Sequence, residues 1–394
     1  MDECSWQEAR QRARDCARQV EPVVASLEDA VGAVLSSPLL ANEDIPAFDA
    51  ASVDGWAVSG KGPWKLRRPT KRDMLGGFDF HESTSTKSLR EGQAAPVEAG
   101  DPLGKEVIAV VARTRGTVTD GLLVGNTLSA SKPGAGIRAR GSDSGQGSEL
   151  MSPGERVTPA VASLAATAGH DELWVLPMPT VALVRIGDRV LDTGTSRKGH
   201  IRDTVGPALP GWIAHLNGRC QPSRWVTQGD GALIDELDDI LADVVVATGP
   251  SSGPAVRRVL GGLGVTPLVD GVACQPGNSM MLAILPNGRP FIHCSAGPDD
   301  IVATLVTLLA PLIEGMTGQS EIAIRARFDD AVAGDRRRTT LIPVGYVGER
   351  SASVAPVRPA GPNGLLGLCR ATAWAVIPVG GVHRHEPVPL LPMP

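Results

Sequence analysis

The sequence predicts a multi-domain protein of mixed α/β and all-β class, and three observations carry that prediction. Between residues 181 and 318, apolar strand-like runs alternate with helical periodicity, the pattern of a parallel sheet with crossover helices. After Gly318 the chain breaks into short strands punctuated by Pro and Gly, as a small all-β domain does. Residues 59–141 are rich in Gly, Ser, Thr and short Val runs, which points to a separate β-rich piece. The expected division is a helical and linker domain (1–58 with 142–180), a β-rich insertion (59–141), an α/β domain (181–318) and a C-terminal β domain (319–394).

Taken in order, residues 5–35 place apolar side chains at Ala13, Cys16, Ala17 and Val20, then at Leu27, Ala30, Val31, Val34 and Leu35. That spacing predicts helix, split in two by Glu21-Pro22, with Ser26 capping the second half. Val107–Arg113 and Thr117–Val124, separated by Thr114-Arg115-Gly116, predict a β-hairpin. Residues 76–90 and 128–148 are polar and read as loops, and an Ala-rich helix is expected over 159–168. Within the α/β region, Val181–Ile186, Val244–Ala247 and Pro290–Cys294 read as buried strands. Pro207–Leu216, Ile234–Leu241, 254–264 and 298–318 read as helices. The expected C-terminal strands are Glu321–Phe328, Thr339–Tyr346, Ser351–Arg358, Ala373–Val379 and Pro387–Leu391.

Composition excludes several classes of function. A net charge of -5 and 3% aromatic residues give no electrostatic or stacking case for nucleic acid or an anionic membrane. The acidic N-terminus is unlike a signal peptide. The most apolar stretch, Ile301–Ile313, falls short of the ~18 residues of a spanning helix, so a buried helix is expected. The six cysteines are scattered without a Cys-x-x-Cys pair, which argues against a zinc site or a disulfide framework and for reduced thiols in the cytoplasm. Only seven of the 38 basic residues are lysines, and none follows Lys198.

The most informative stretch is 45–58, Ile-Pro-Ala-Phe-Asp-Ala-Ala-Ser-Val-Asp-Gly-Trp-Ala-Val. Asp49 and Asp54 stand in a small-residue loop, and a left-handed Gly55 would let that loop aim both carboxylates at one spot. The segment resembles the Pro-x-Phe-Asp-Asn-Ser-x-Met-Asp-Gly-Tyr-Ala motif of the molybdopterin molybdenumtransferases, the MoeA and gephyrin E-domain family, with Trp56 in place of Tyr. Arg138 to Asp143 is similar to the family's Arg-x-x-Gly-Glu-Asp, Gly187-Asp188 to Thr-Gly-Asp-Glu, and Asp203-Thr204 to its Asp-Thr/Ser-Asn. Gly361 to Gly381 resembles the family's closing segment, so the likeness runs along essentially the whole chain.

The resemblance implies insertion of molybdate into adenylated molybdopterin with release of AMP, in molybdenum cofactor biosynthesis. It implies Asp54, Asp143 and Asp188 as catalytic acids, and Asp54, Asp188 and Asp230 as ligands of Mg²⁺ or another divalent cation. Thr248, Gly249, Ser251, Ser252, Gly253, Pro276, Gly277, Asn278 and Asp203 would hold the pterin nucleotide. A homodimer, and contact with a molybdopterin adenylyltransferase, are implied as well.

Several departures change the charge of the site. Gln275-Pro276-Gly277-Asn278-Ser279 stands where the family has Lys-Pro-Gly-Lys-Pro, Arg189 where it has Glu, and Glu98 where it has a hydroxyl. Arg189, Arg257 and Arg258 are the candidate replacements for the lost lysines. The alternative reading is a catalytically inactive relative that acts as scaffold or regulator, or that binds a less charged ligand.

Overall fold

The computed structural model describes residues 3–67, 86, 89–125, 132–226, 230–249, 254–319, 324–347, 353–357 and 365–393. The chain divides into two compact units, residues 1–23, 32–36 and 175–394 forming the first and 24–31 and 37–174 the second.

The first unit is organised by a sheet of seven strands. Thr180–Ile186 runs parallel to Arg219–Cys220, Arg224–Val226 and Val244–Gly249, and Val244–Gly249 runs parallel to Pro290–Ser295. Met281–Ile284 and Val269–Asp270 then extend the sheet antiparallel, so it is mixed rather than wholly parallel. Side chains alternate between two cores, as the two-residue period of a strand requires. Val181, Leu183, Val244, Val246, Ile292 and Cys294 pack on one face with Leu209 and Ile213 of helix Leu209–His215. Ala182, Val184, Val245, Ala247 and Phe291 pack on the other with Leu233, Leu237, Val256 and Val259, which belong to helices Asp230–Asp239 and Pro254–Gly262.

The helical run Pro298–Thr317 matches the helix expected over 298–318. It is 20 residues long and apolar enough to cross a membrane by length and composition. It is instead mostly buried in the first core, with a π-helical turn at Leu305–Leu309. Helix Trp6–Asp15, capped by the Ser5 hydroxyl, lies against it. The close approach needs Gly315, where a Cβ would sit 2.6 Å from the carbonyl oxygen of Arg14 and 2.7 Å from Cβ of Ala17. The C-terminal strands Ile324–Phe328, Thr339–Tyr346, Ser353–Pro356, Ala373–Ile377 and Pro387–Pro392 pair in a closed ring. Ala326, Phe328, Val344, Val354, Ala375 and Leu390 fill its centre. Closure leaves these five strands no free edge.

The second unit carries a six-stranded sheet, ordered Ala109–Ala112, Gly55–Val58, Gln93–Val97, Trp64–Leu66, Leu122–Gly125, Gly116–Thr119. Two local expectations are corrected. The hairpin joins Gly116–Thr119 to Leu122–Gly125 through Asp120-Gly121, both at positive φ (51° and 76°), rather than turning at 114–116. Asp-Gly is the stronger turn signal, because it tolerates two left-handed residues in succession. Of the two helices expected over 5–35, the second is not formed. After helix Trp6–Asp15 comes strand Val23–Ser26, a single helical turn Leu27–Ala30 capped by Ser26, and strand Val34–Leu35 paired with Val175–Leu176. The β-branched Val23, Val24, Val31 and Val34 prevail over the apolar spacing there.

Packing at Gly315 gives a stability prediction. Gly315→Ala should destabilise the first unit by about 1–3 kcal/mol through overpacking, read as a lower urea midpoint.

Candidate functional site

The parallel strands of the first unit end together, and the groups beyond their C-terminal ends line a pocket. Its walls are Arg185, Ile186, Val190, Ile201, Arg202, Asp203, Thr204, Val205, Trp225, Thr248 and Ala296. It offers about 50 Å³ of space that water can enter, room for one compact group and far less than a nucleotide-sized ligand fills. The signal sequence reasoning missed is Arg185, a charged residue inside the otherwise apolar strand Thr180–Ile186.

Arg185 is held on three sides. Its Nη1 donates to Asp203 Oδ2 at 2.6 Å and to Asp192 Oδ1 at 2.7 Å. Its guanidinium lies over the ring of Trp225, Cζ 4.8 Å from the centroid, and Trp225 is its register partner on the adjacent strand. Burial disfavours the charge, but the two carboxylates outweigh it and hold the guanidinium more firmly protonated than usual. Asp203 is 8% exposed and also accepts from the backbone N–H groups of Val205 and Gly206, both at 2.9 Å. Burial works to raise its pKa. The two backbone donors and Arg185 prevail, so the carboxyl sits below the usual range. Asp203 is therefore first an anchor, closing the turn that leads into helix Leu209–His215.

Of the residues expected to bind the pterin nucleotide, Asp203 and Thr248 share this pocket. Gly249, paired with Ser295, extends the strand that carries Thr248. Ser251, Ser252 and Gly253 lie outside the described residues, as does the side chain of Asp230 at the start of its helix. Pro276, Gly277 and Asn278 do not line the pocket. Gly277 instead donates its backbone N–H to Asp300 Oδ1 at 2.8 Å, and the Asn278 carbonyl accepts from Val272 N–H at 3.0 Å. An N–H already given to a carboxylate is not open to a substrate anion.

Asp188 and Arg189 are exposed beside the pocket strand. Arg257, one of the expected replacements for the lysines, is committed to Asp270 at 2.6 Å. His293 is 1% exposed, in register with Ala247, and neither ring nitrogen has a hydrogen-bond partner among the described residues. Burial, with Arg257 adding repulsion, lowers its pKa to about 4, so it stays neutral near pH 7.

The acids of the second unit are placed differently from the expectation that one loop aims two of them together. Asp49 Oδ1 accepts from Arg140 N–H at 2.7 Å, whereas Asp54 Oδ1 accepts from Ala99 N–H at 2.9 Å. Asp54 thus ties its loop to the turn Val97–Gly100. Gly55 is not left-handed. It is demanded by proximity, since a Cβ there would lie 2.0 Å from the carbonyl oxygen of Val111. Asp143 pairs with Arg138 at the surface.

The pocket yields a pH prediction. Asp203 has a lowered native pKa, so its stabilisation is fully present above the unfolded value near pH 4 and is lost as pH falls through the native value. Asp203→Asn should cost about 1–3 kcal/mol at pH 7 and lose less stability than the parent between pH 5 and pH 2, followed by urea denaturation at each pH.

Comparison with known proteins agrees with the fold and the motifs. Residues 4–169 match the family model described as MoeA N-terminal region (domain I and II). The curated molybdopterin molybdenumtransferase of Synechococcus elongatus is 26% identical over 368 residues, 88% of each chain. That of Bacillus subtilis is 26% identical over 331 residues, 78% of this chain and 73% of its own. A crystal structure of the molybdopterin biosynthesis moeA protein from Pyrococcus horikosii superposes with a TM-score of 0.72 at 21% identity, covering 100% of both chains. The N-terminal region thus matches the MoeA family model, and most of the chain's length aligns to curated molybdopterin molybdenumtransferases.

Proposed function

We propose that this protein acts in molybdenum cofactor biosynthesis as a molybdopterin molybdenumtransferase, moving molybdate into adenylated molybdopterin with release of AMP. The observation that carries the reading is the pocket at the ends of the parallel strands, where Asp203 and Thr248, singled out from the family motifs, stand together. Strand C-terminal ends are where an open α/β sheet binds its ligands. The alignment to curated transferases over 88% of the chain supports the same reading.

Within it, Asp54, Asp143 and Asp188 are the proposed catalytic acids. Thr248 and Gly249, with the Ser251-Ser252-Gly253 segment that follows, form the proposed cradle for the nucleotide. Among the described residues, no group of three or more His, Cys, Asp or Glu side chains is arranged to hold a metal ion. The Asp230 side chain lies outside those residues, and Asp54, Asp188 and Asp230 are the proposed ligands of Mg²⁺ or another divalent cation. Mg²⁺ commonly binds through one or two carboxylates with substrate phosphates, so it belongs in the assay. A cytoplasmic homodimer that receives its substrate from a molybdopterin adenylyltransferase completes the proposal.

The test is AMP release from adenylated molybdopterin by the purified full chain with molybdate and Mg²⁺. Molybdate-dependent release is expected, and Asp54→Ala should reduce it at least ~100-fold while leaving the circular dichroism spectrum unchanged. A folded parent that releases no AMP would contradict the assignment and favour a scaffold or another ligand. Release undiminished in Asp54→Ala would remove that acid from the chemistry.

A further inference from the structure

Two arginines of the strand-end pocket carry unpaired donors. Arg202 Nη1 and Arg185 Nε are buried nitrogens without a hydrogen-bond partner among the described residues. Arg185 spends Nη1 on two carboxylates. Arg202 is half-buried, and its guanidinium has no hydrogen bond or ion pair to any described residue. Each buried polar group left unpaired costs free energy, and more when it is charged, so native proteins keep few of them. Both residues line the same small cavity, with the Thr248 hydroxyl-bearing side chain on its wall.

The local charge balance fits an anion. Asp203 is already met by two backbone N–H groups and Arg185. Asp192 is 63% exposed, so its charge is largely screened by water. No described residue pairs with the Arg202 charge. Guanidinium donors suit tetrahedral oxyanions through paired N–H groups. About 50 Å³ of space holds such an ion but not a pterin. The Trp225 ring behind Arg185 fixes that side chain against rotation.

We infer that Arg202 and Arg185 form a binding site for a compact tetrahedral oxyanion, taking over at the strand ends the role that the missing lysines of the 275–279 loop leave open. Neither arginine was among the expected replacements. The oxyanion is molybdate itself or the phosphate of the nucleotide. Which of the two it is rests on the transferase reading; that the pocket takes an oxyanion does not.

The experiment is calorimetric titration of the purified full chain with molybdate, inorganic phosphate and AMP, each in turn, at low ionic strength. The parent should bind at least one of them. Arg202→Gln should weaken that binding ~10- to 100-fold, the loss of one charge-assisted contact. Arg202→Lys should recover part of it, and both variants should keep the parent's circular dichroism spectrum. Preference for molybdate identifies the metal oxyanion as the occupant, and preference for AMP and phosphate identifies the nucleotide. Either supports the site. Equal affinity in parent and Arg202→Gln, or no binding of any of the three, would overturn it. Binding that depends on Arg202 in a protein that releases no AMP would sustain this inference while the transferase reading fails.

Discussion

A guanidinium at the end of an apolar parallel strand is the constraint around which the site is built. Arg185 follows Val181, Ala182, Leu183 and Val184, all essentially buried. A charge in that position is tolerable only if its partners come with it. They arrive from three places: Asp203 from the turn before helix Leu209–His215, Asp192 from the segment after the strand, and Trp225 from the neighbouring strand. One buried cation thus fixes the strand end, the helix entry and the side wall of the pocket together.

The same arrangement puts cationic side chains in a pocket of a chain that has no lysine after Lys198. In the 275–279 loop, Gly277 gives its N–H to Asp300, and that acid opens the core helix where an anion would otherwise have met a helix N-terminus. His293 lies in the core without a charge. Arg257 is neutralised by Asp270. The 275–279 loop holds no cationic side chain, whereas the pocket formed by strands Thr180–Ile186 and Ile201–Arg202 and their neighbours holds Arg185 and Arg202. Fold and charge distribution are separable here, since the sheet depends on alternating Val, Leu and Ala side chains and the site depends on a few polar side chains at the strand ends.

Much of this was legible in the sequence. The strands Val181–Ile186, Val244–Ala247 and Pro290–Cys294 lie within the observed strands Thr180–Ile186, Val244–Gly249 and Pro290–Ser295, because runs of β-branched and small apolar residues buried on both faces have few other homes. The C-terminal strands were equally plain, being separated by Pro and Gly. Residues 17–35 misled because Leu27, Ala30, Val31 and Val34 fit a helical period by accident of a short strand, a turn and another short strand. Asp203 and Thr248 were found through the motif likeness. Arg185 and Arg202 were not, because nothing in a linear reading shows that two arginines 17 positions apart line one cavity.

On this reading oxyanions bind between Arg185 and Arg202 rather than at the 275–279 loop. An anomalous-difference map from crystals of the full chain soaked in tungstate tests it most directly. A tungsten peak within hydrogen-bonding distance of Arg202 and facing Arg185 is the predicted result. A peak at Gln275–Asn278 with none at the arginine pair would contradict the account.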